Sequence, residues 1–102
     1  MVRIHGKWCG PNWTANQVKP AKDATKRDRL VPCSDSLDCA CKRHDLDIAD
    51  TGSPSFASDT RLMKEAEKIL ANPIIAITQP VMYAKAFAIR DSMSLVRWTR
   101  ER

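Results

Sequence analysis

Long apolar runs are missing from this sequence. None reaches the roughly 18 residues that a helix needs to cross a bilayer, so we expect no transmembrane segment. The first residues also lack the apolar stretch of a signal peptide. Strand patterns are weak throughout, so an extended β-sheet is not expected. A chain of this length forms one domain with a thin core.

Cysteine, by contrast, is well represented. The even set of Cys9, Cys33, Cys39 and Cys41 allows two disulfides, in any of three connectivities. Disulfides would stabilise a thin core and would indicate an oxidising compartment. Reduced thiols in a cytosolic protein are the alternative that composition leaves open.

The net charge of +5 is unevenly distributed, because basic ends flank an acidic centre. A basic surface suits an anionic partner, either nucleic acid or an anionic membrane. Residues 17–33 hold much of the N-terminal positive charge, and we predict that they form a basic, irregular surface segment.

Helical periodicity and capping signals predict three helices, which cover residues 34–50, 55–71 and 80–102. Either Ser34 or Asp35 can cap the first helix, and Asn72-Pro73 should end the second. The third carries an apolar face along its length. The domain is therefore predicted to be mainly α.

The first predicted helix carries the candidate chemistry. His44 shares one face with mostly apolar residues, namely Leu37, Ala40, Cys41 and Ile48. A histidine in that position is more often a hydrogen-bonded core residue. However, Asp45 follows it directly, and a nearby loop could add carbonyl ligands for a hard cation. Asp59 lies on the stripe that the second helix should bury, where a carboxylate needs a partner such as imidazole. A histidine that is oriented by a carboxylate and lies beside a cation site can activate a water molecule to attack an ester.

Three segments resemble the phospholipase A2 superfamily. Asp38-Cys39-Ala40-Cys41-Lys42-Arg43-His44-Asp45 is similar to the family's Asp-x-Cys-Cys-x-x-His-Asp active-site helix, with Ala40 replacing one cysteine. Trp8-Cys9-Gly10-Pro11-Asn12-Trp13 resembles its calcium loop, aromatic-Cys-Gly-x-Gly. Ser58-Asp59-Thr60-Arg61-Leu62 resembles the Ala-Asp-x-x-Leu helix start of viral members, such as the parvovirus capsid phospholipases. The likeness covers residues 5–66.

The resemblance implies a small disulfide-stapled phospholipase A2-like fold with two core antiparallel helices. The implied parts of a single domain, residues 1–102, are a calcium loop (1–16), a basic surface segment (17–33), an active-site helix (34–50), a second helix (55–71) and a long amphipathic C-terminal helix (80–102). The implied disulfides are Cys9–Cys41 and Cys33–Cys39.

The implied activity is calcium-dependent hydrolysis of the sn-2 ester of glycerophospholipids. His44 would take a proton from the attacking water, and Asp59 would fix its tautomer by accepting a hydrogen bond from the far ring nitrogen. Ca²⁺ and the Gly10 N–H would stabilise the oxyanion. The implied calcium ligands are the Asp45 carboxylate and three backbone carbonyls, those of Trp8, Gly10 and Asn12.

The chain departs from the family pattern in three places. Asn12 stands where the second loop glycine is usual, so we expect weaker calcium binding, although Asn tolerates positive φ better than most residues. Ile48 stands where a tyrosine commonly supports the Asp–His pair. The stretch between the calcium loop and the active-site helix is also long.

The implied partner is an anionic phospholipid surface, and no nucleic acid is expected. The implied location is a virion or another oxidising, extracellular-type environment, and the viral likeness points to membrane breach during entry. The C-terminal helix carries several cations and Trp98, so it either packs on the core with a solvated basic face or contacts an anionic bilayer.

Three other functions compete with lipid hydrolysis. A catalytically silent relative could serve as a membrane- or protein-binding module, as Asn12 and Ile48 would allow. A zinc module could use Cys33, Cys39, Cys41 and His44, although a Cys-x-Cys pair on a helix does not converge on one ion. A basic nucleic-acid binder is the third, although its aromatics do not follow a basic stripe.

Overall fold

The computed structural model describes residues 3–101, and the side chains of residues 3–95. Within this part the chain forms a two-stranded hairpin, two single turns of 3-10 helix (Ala21–Asp23 and Asp28–Leu30) and four α-helices. The strands are β1 (Trp13–Thr14) and β2 (Gln17–Val18), and the helices are α1 (Ser36–Thr51), α2 (Phe56–Leu70), α3 (Pro73–Thr78) and α4 (Pro80–Glu101). The mainly α prediction is therefore confirmed for the described chain.

Local capping fixes the ends of the two helices that carry the candidate site. Asp35, one of the two predicted caps, accepts a hydrogen bond from the Asp38 N–H at 2.8 Å and starts α1. Gly52 ends α1 in the left-handed conformation, with φ of 85°. Ser55 and Ser58 form a reciprocal capping box at the start of α2.

The core lies between α2 and α4, with α1 packed on α2. Each of these helices contributes one apolar face at helical spacing. The buried apolar residues of the helices are Leu37, Ala40, Cys41, Leu62, Ala66, Ile69, Met82, Ala86 and Ile89, and Trp8, Cys9 and Ala15 of the N-terminal loop join them. No helix in residues 3–101 is both long enough and apolar enough to span a bilayer.

Both disulfides join the partners that the resemblance implies. Cys9–Cys41 joins the N-terminal loop to α1, with a Cα–Cα distance of 5.1 Å. Cys33–Cys39 joins the segment just before α1 to the first turn of that helix, with a Cα–Cα distance of 4.9 Å. All four cysteines lie in the described chain, and none is free. The zinc-module alternative is therefore wrong, because its three thiols are oxidised.

The sequence misses α3. Asn72-Pro73 was expected only to end the second helix, but the Asn72 side chain accepts a hydrogen bond from the Ile74 N–H at 3.0 Å, and Pro73 occupies the first helical position. The same dipeptide thus ends α2 and starts α3. The last helix begins at Pro80, as predicted. The Trp98 side chain and Arg102, on which the membrane hypothesis for this helix depends, lie outside the described residues.

Residues 17–33 are more ordered than an irregular excursion. The Asp28 carboxylate is buried and accepts hydrogen bonds from Lys19 Nζ at 2.6 Å, Gln17 Nε2 at 2.8 Å and the Thr25 N–H at 2.9 Å. Three residues of the segment thus donate hydrogen bonds to one buried carboxylate. The sequence gives no sign of this, because the bonds join residues that follow no helical or strand period.

Candidate active site

His44 and Asp59 meet where α1 crosses the start of α2. His44 Nε2 lies 2.7 Å from Asp59 Oδ1, and Asp59 is fully buried. An ionised carboxylate can only accept a hydrogen bond, so Nε2 carries the proton and Nδ1 presents a lone pair. The predicted contact between these two residues is therefore present in the structure, and it leaves Nδ1 as the basic atom of the ring.

Asp45, the next residue on α1, leaves one oxygen without a partner. Its Oδ1 lies 3.8 Å from His44 Nδ1, which is too long for a direct hydrogen bond. Its Oδ2 is buried and has no hydrogen-bond partner among the described residues. A buried polar atom without a partner lowers the stability of the fold, so Asp45 Oδ2 is a candidate to bind a cation.

Burial and charge act in opposite directions on this pair. Burial raises the pKa of Asp45 to about 6, although the neighbouring imidazole lowers it. For His44, burial lowers the pKa, but the negative charges of Asp45 and Asp59 and the hydrogen bond to Asp59 outweigh it, so the pKa is raised. A bound cation would reverse the effect on Asp45 by stabilising its ionised form.

The N-terminal loop brings the three other predicted ligand residues to the same place. Trp8, Gly10 and Asn12 line one cavity together with His44 and Asp45. Gly10 has φ of 144°, a conformation that glycine adopts most readily, and Asn12 has φ of 53°. The expectation that Asn12 tolerates a positive φ in place of glycine is therefore confirmed.

The loop's backbone groups are partly engaged. The Gly10 carbonyl accepts a hydrogen bond from the Trp13 N–H at 3.2 Å, and the Asn12 carbonyl accepts one from the Lys19 N–H at 3.0 Å. Each carbonyl keeps a second lone pair. Within residues 3–101 no backbone hydrogen bond uses the Gly10 N–H, so this donor is available to a ligand.

Asp38 holds the loop beside α1, a role that the sequence did not indicate. Its buried carboxylate accepts hydrogen bonds from the backbone N–H groups of Lys7, Trp8 and Ser34 at 2.8 to 3.1 Å. Gly6 is also required there, because a Cβ at that position would come within 2.4 Å of Asp38 Cγ. In the sequence, Asp38 stands out only as the first residue of the segment that resembles the active-site helix.

The cavity has a volume of about 580 Å³, which suits a small-molecule ligand. Its walls come from the N-terminal loop, the basic segment 17–33, α1, α2 and α4, and they are mostly apolar; Ile4, Ile48, Leu62, Ile89 and Met93 are among the lining residues. Ile48 therefore faces the cavity where the family resemblance calls for a tyrosine. Asp59 does not line the cavity but supports His44 from behind.

These residues fit a hard cation. The unpartnered Asp45 Oδ2 supplies a negative oxygen, and the loop supplies carbonyl oxygens, which are the donor types that Ca²⁺ prefers. Across the described side chains, no three His, Cys, Asp or Glu residues converge as a metal cluster. A calcium site here would therefore rest on one carboxylate and the backbone of the loop.

The chain has no match among protein-family models, among curated proteins or among solved structures.

Proposed function

We propose that the chain is a calcium-dependent phospholipase A2-type enzyme with a phospholipase A2-like fold, which hydrolyses the sn-2 ester of glycerophospholipids. The observation that carries the proposal is the arrangement around His44. Its Nε2 is held by the buried Asp59, while the unpartnered Asp45 Oδ2 lies on the next residue, at the wall of an apolar cavity.

His44 acts as the general base. With its Nε2 proton engaged by Asp59, its Nδ1 lone pair accepts the proton of a water molecule that attacks the ester carbonyl. The Asp59 carboxylate stabilises the imidazolium that this transfer creates. The proton then passes to the leaving alkoxide, so that a free fatty acid and a lysophospholipid are released.

The oxyanion is stabilised from the loop side. The Gly10 N–H, which serves no described backbone acceptor, donates to the developing negative charge, and one such donor is worth about 3–4 kcal/mol. Asp45 and the carbonyls of Trp8, Gly10 and Asn12 would hold Ca²⁺. When bound, this ion supplies positive charge that polarises the ester carbonyl.

The cavity supports an amphiphilic substrate. Its apolar lining excludes water from the reaction and accommodates part of an acyl chain, while His44 and Asp45 supply the polar end. Two disulfides agree with an oxidising, extracellular-type environment. On the resemblance to viral members, we also propose that the activity breaches a membrane during entry.

Fatty-acid release from phosphatidylcholine mixed micelles tests the activity. The wild-type chain should release the sn-2 acid with millimolar Ca²⁺ and not in EGTA, and His44→Gln should lower the rate by about a thousandfold. His5→Gln is the matched control, because His5 also pairs with an aspartate, Asp35, at 2.5 Å but does not line the cavity. Its rate should stay close to that of wild type. Equal rates for wild type and His44→Gln would contradict the proposal.

A catalytically silent binding module is the second candidate. It is favoured by the loop, since Asn12 is exposed and the carbonyls of Gly10 and Asn12 already accept hydrogen bonds. Such a module would bind anionic vesicles but release no fatty acid at any calcium concentration. Sedimentation with vesicles, run beside the release assay, separates the two functions.

A further inference from the structure

One wall of the cavity comes from the basic segment 17–33. Pro20, Ala21 and Lys22 line the cavity, and Ala21–Asp23 forms a single 3-10 turn that packs against α1. Lys22 thus places a cation at the rim of a site whose other ionisable lining residues are His44 and Asp45. The neighbouring Asp23 is exposed and does not line the cavity.

This wall is held by bonds on both sides of the 3-10 turn. Before the turn, Lys19 is paired with the buried Asp28. After it, the Val31 carbonyl accepts hydrogen bonds from Trp8 Nε1 at 3.3 Å and Lys42 Nζ at 3.0 Å. Trp8 itself also lines the cavity, so the segment and the N-terminal loop are joined as one surface.

Lys22 differs from Lys19 and Lys42, the two lysines that hold this wall, because it has no partner among the described residues. Lys19 and Lys42 each donate to an acceptor, whereas Lys22 makes no ion pair or hydrogen bond with the described residues. An unpaired ammonium beside a mostly apolar cavity offers a favourable site to the anionic end of an amphiphile.

We propose that Lys22 forms an anion subsite that makes the cavity select phospholipids with a net negative head group over zwitterionic ones. The inference rests on the proposed function, whose substrate class it narrows. The selecting interaction is between Lys22 and the head group of the single lipid in the cavity, and not between the basic protein and a charged membrane surface.

Short-chain lipids below their micelle concentration test this directly, because no membrane surface is present. The measured quantity is the ratio of kcat/KM for diheptanoylphosphatidylglycerol to that for diheptanoylphosphatidylcholine. Lys22→Gln should lower this ratio about fivefold, the upper range for one partly exposed ion pair, while Lys22→Arg should keep it. Lys26→Gln is the matched control, since Lys26 is exposed in the same segment and does not line the cavity. Its ratio should equal that of wild type.

A binding measurement separates the inference from the proposed function. Ether-linked analogues of the same two lipids cannot be hydrolysed, and their dissociation constants can be measured by calorimetry. If the wild-type chain hydrolyses neither lipid but binds the anionic ether about fivefold more weakly after Lys22→Gln, the enzyme proposal fails and the subsite stands. If hydrolysis occurs and the ratio is unchanged in Lys22→Gln, or falls equally in Lys26→Gln, the subsite is wrong and the enzyme proposal stands.

Discussion

Two aspartates on α1 are buried on the same side of the helix, two turns apart, yet their surroundings are opposite. Asp38 is fully buried and accepts hydrogen bonds from three backbone N–H groups, those of Lys7, Trp8 and Ser34, and from the Ser34 hydroxyl. Asp45 is 8% exposed, and its Oδ2 has no partner among the described residues. The Asp38 carboxylate thus holds the N-terminal loop, whereas the Asp45 carboxylate keeps one oxygen available to a ligand.

The difference in hydrogen bonding suggests a different role for each of the two aspartates on α1. A buried carboxylate that accepts several N–H donors stabilises the fold, because removing it leaves those donors unsatisfied. A buried carboxylate oxygen without a hydrogen-bond partner destabilises the fold unless a cation or a hydrogen-bond donor binds to it. Asp38 places the loop so that its backbone reaches the cavity, and Asp45 supplies the charge that the loop lacks.

The largest expected effect is on activity at Asp45. Asp45→Asn should lower fatty-acid release by about a thousandfold, or ~4 kcal/mol, because it removes the charged ligand of the proposed calcium site. Its free energy of unfolding in EGTA should not fall, since the substitution removes a buried charge whose Oδ2 has no hydrogen-bond partner among the described residues. Urea denaturation and the release assay check both statements. A large loss of stability would place Asp45 with Asp38 as a structural residue.

The next effect is on stability at Asp38. Asp38→Asn should lower the free energy of unfolding by about 3 kcal/mol, because the new amide group would face N–H donors that the carboxylate now accepts. Urea denaturation measures the change. Asp47→Asn is the control on the same helix, since the Asp47–Arg61 ion pair is largely exposed and should contribute less than ~1 kcal/mol. Equal effects of the two substitutions would remove the distinction.

Calcium should stabilise the wild-type fold by a smaller amount. At a concentration 100 times the dissociation constant, a ligand that binds only the folded state adds about 2.7 kcal/mol, which thermal denaturation detects as a rise in Tm. In Asp45→Asn the rise should disappear. Magnesium at the same concentration serves as the control cation, because it requires a more rigid octahedral site. A calcium-dependent rise that persists in Asp45→Asn would place the ion elsewhere.

The smallest effect concerns another buried aspartate, Asp28, which like Asp38 accepts several hydrogen bonds. The Lys19 ammonium and the Thr25 N–H hold the pKa of Asp28 well below its usual range. A group whose pKa is lower in the folded state contributes stability above its unfolded pKa of about 4, and this contribution is lost as the pH falls further. Asp28→Asn should therefore reduce the difference in unfolding free energy between about pH 6 and about pH 3. An unchanged difference would exclude Asp28 from the acid response.

Much of this arrangement is predictable from the sequence, and the rest has identifiable causes. Asp35 and the Ser55 region signal helix starts locally, and Asp59 stands out as an acid on a buried stripe, so its contact with His44 could be anticipated. The role of Asp38 could not, because the loop partners that it holds are the backbone N–H groups of Lys7 and Trp8, about 30 residues away, which leave no pattern of side chains. Asp28 could not be anticipated either, because its partners Gln17, Lys19 and Thr25 follow no helical or strand period.

The place of Lys22 in the cavity wall could not be predicted from the sequence either. The composition of residues 17–33 indicates only positive charge, and nothing local distinguishes Lys22 from the other lysines. Its position depends on the packing of a 3-10 turn against α1, which is a tertiary contact. Likewise α3 is only six residues long, too short for periodicity to indicate a helix.

The most direct test of the central claim is the release of fatty acid by the wild-type chain as calcium is titrated from EGTA into the millimolar range. We predict that release of the sn-2 acid rises with calcium and saturates. Release that is equal in EGTA and in calcium would contradict the assignment of Asp45 to a cation site, and no release at any calcium concentration would contradict the enzyme itself.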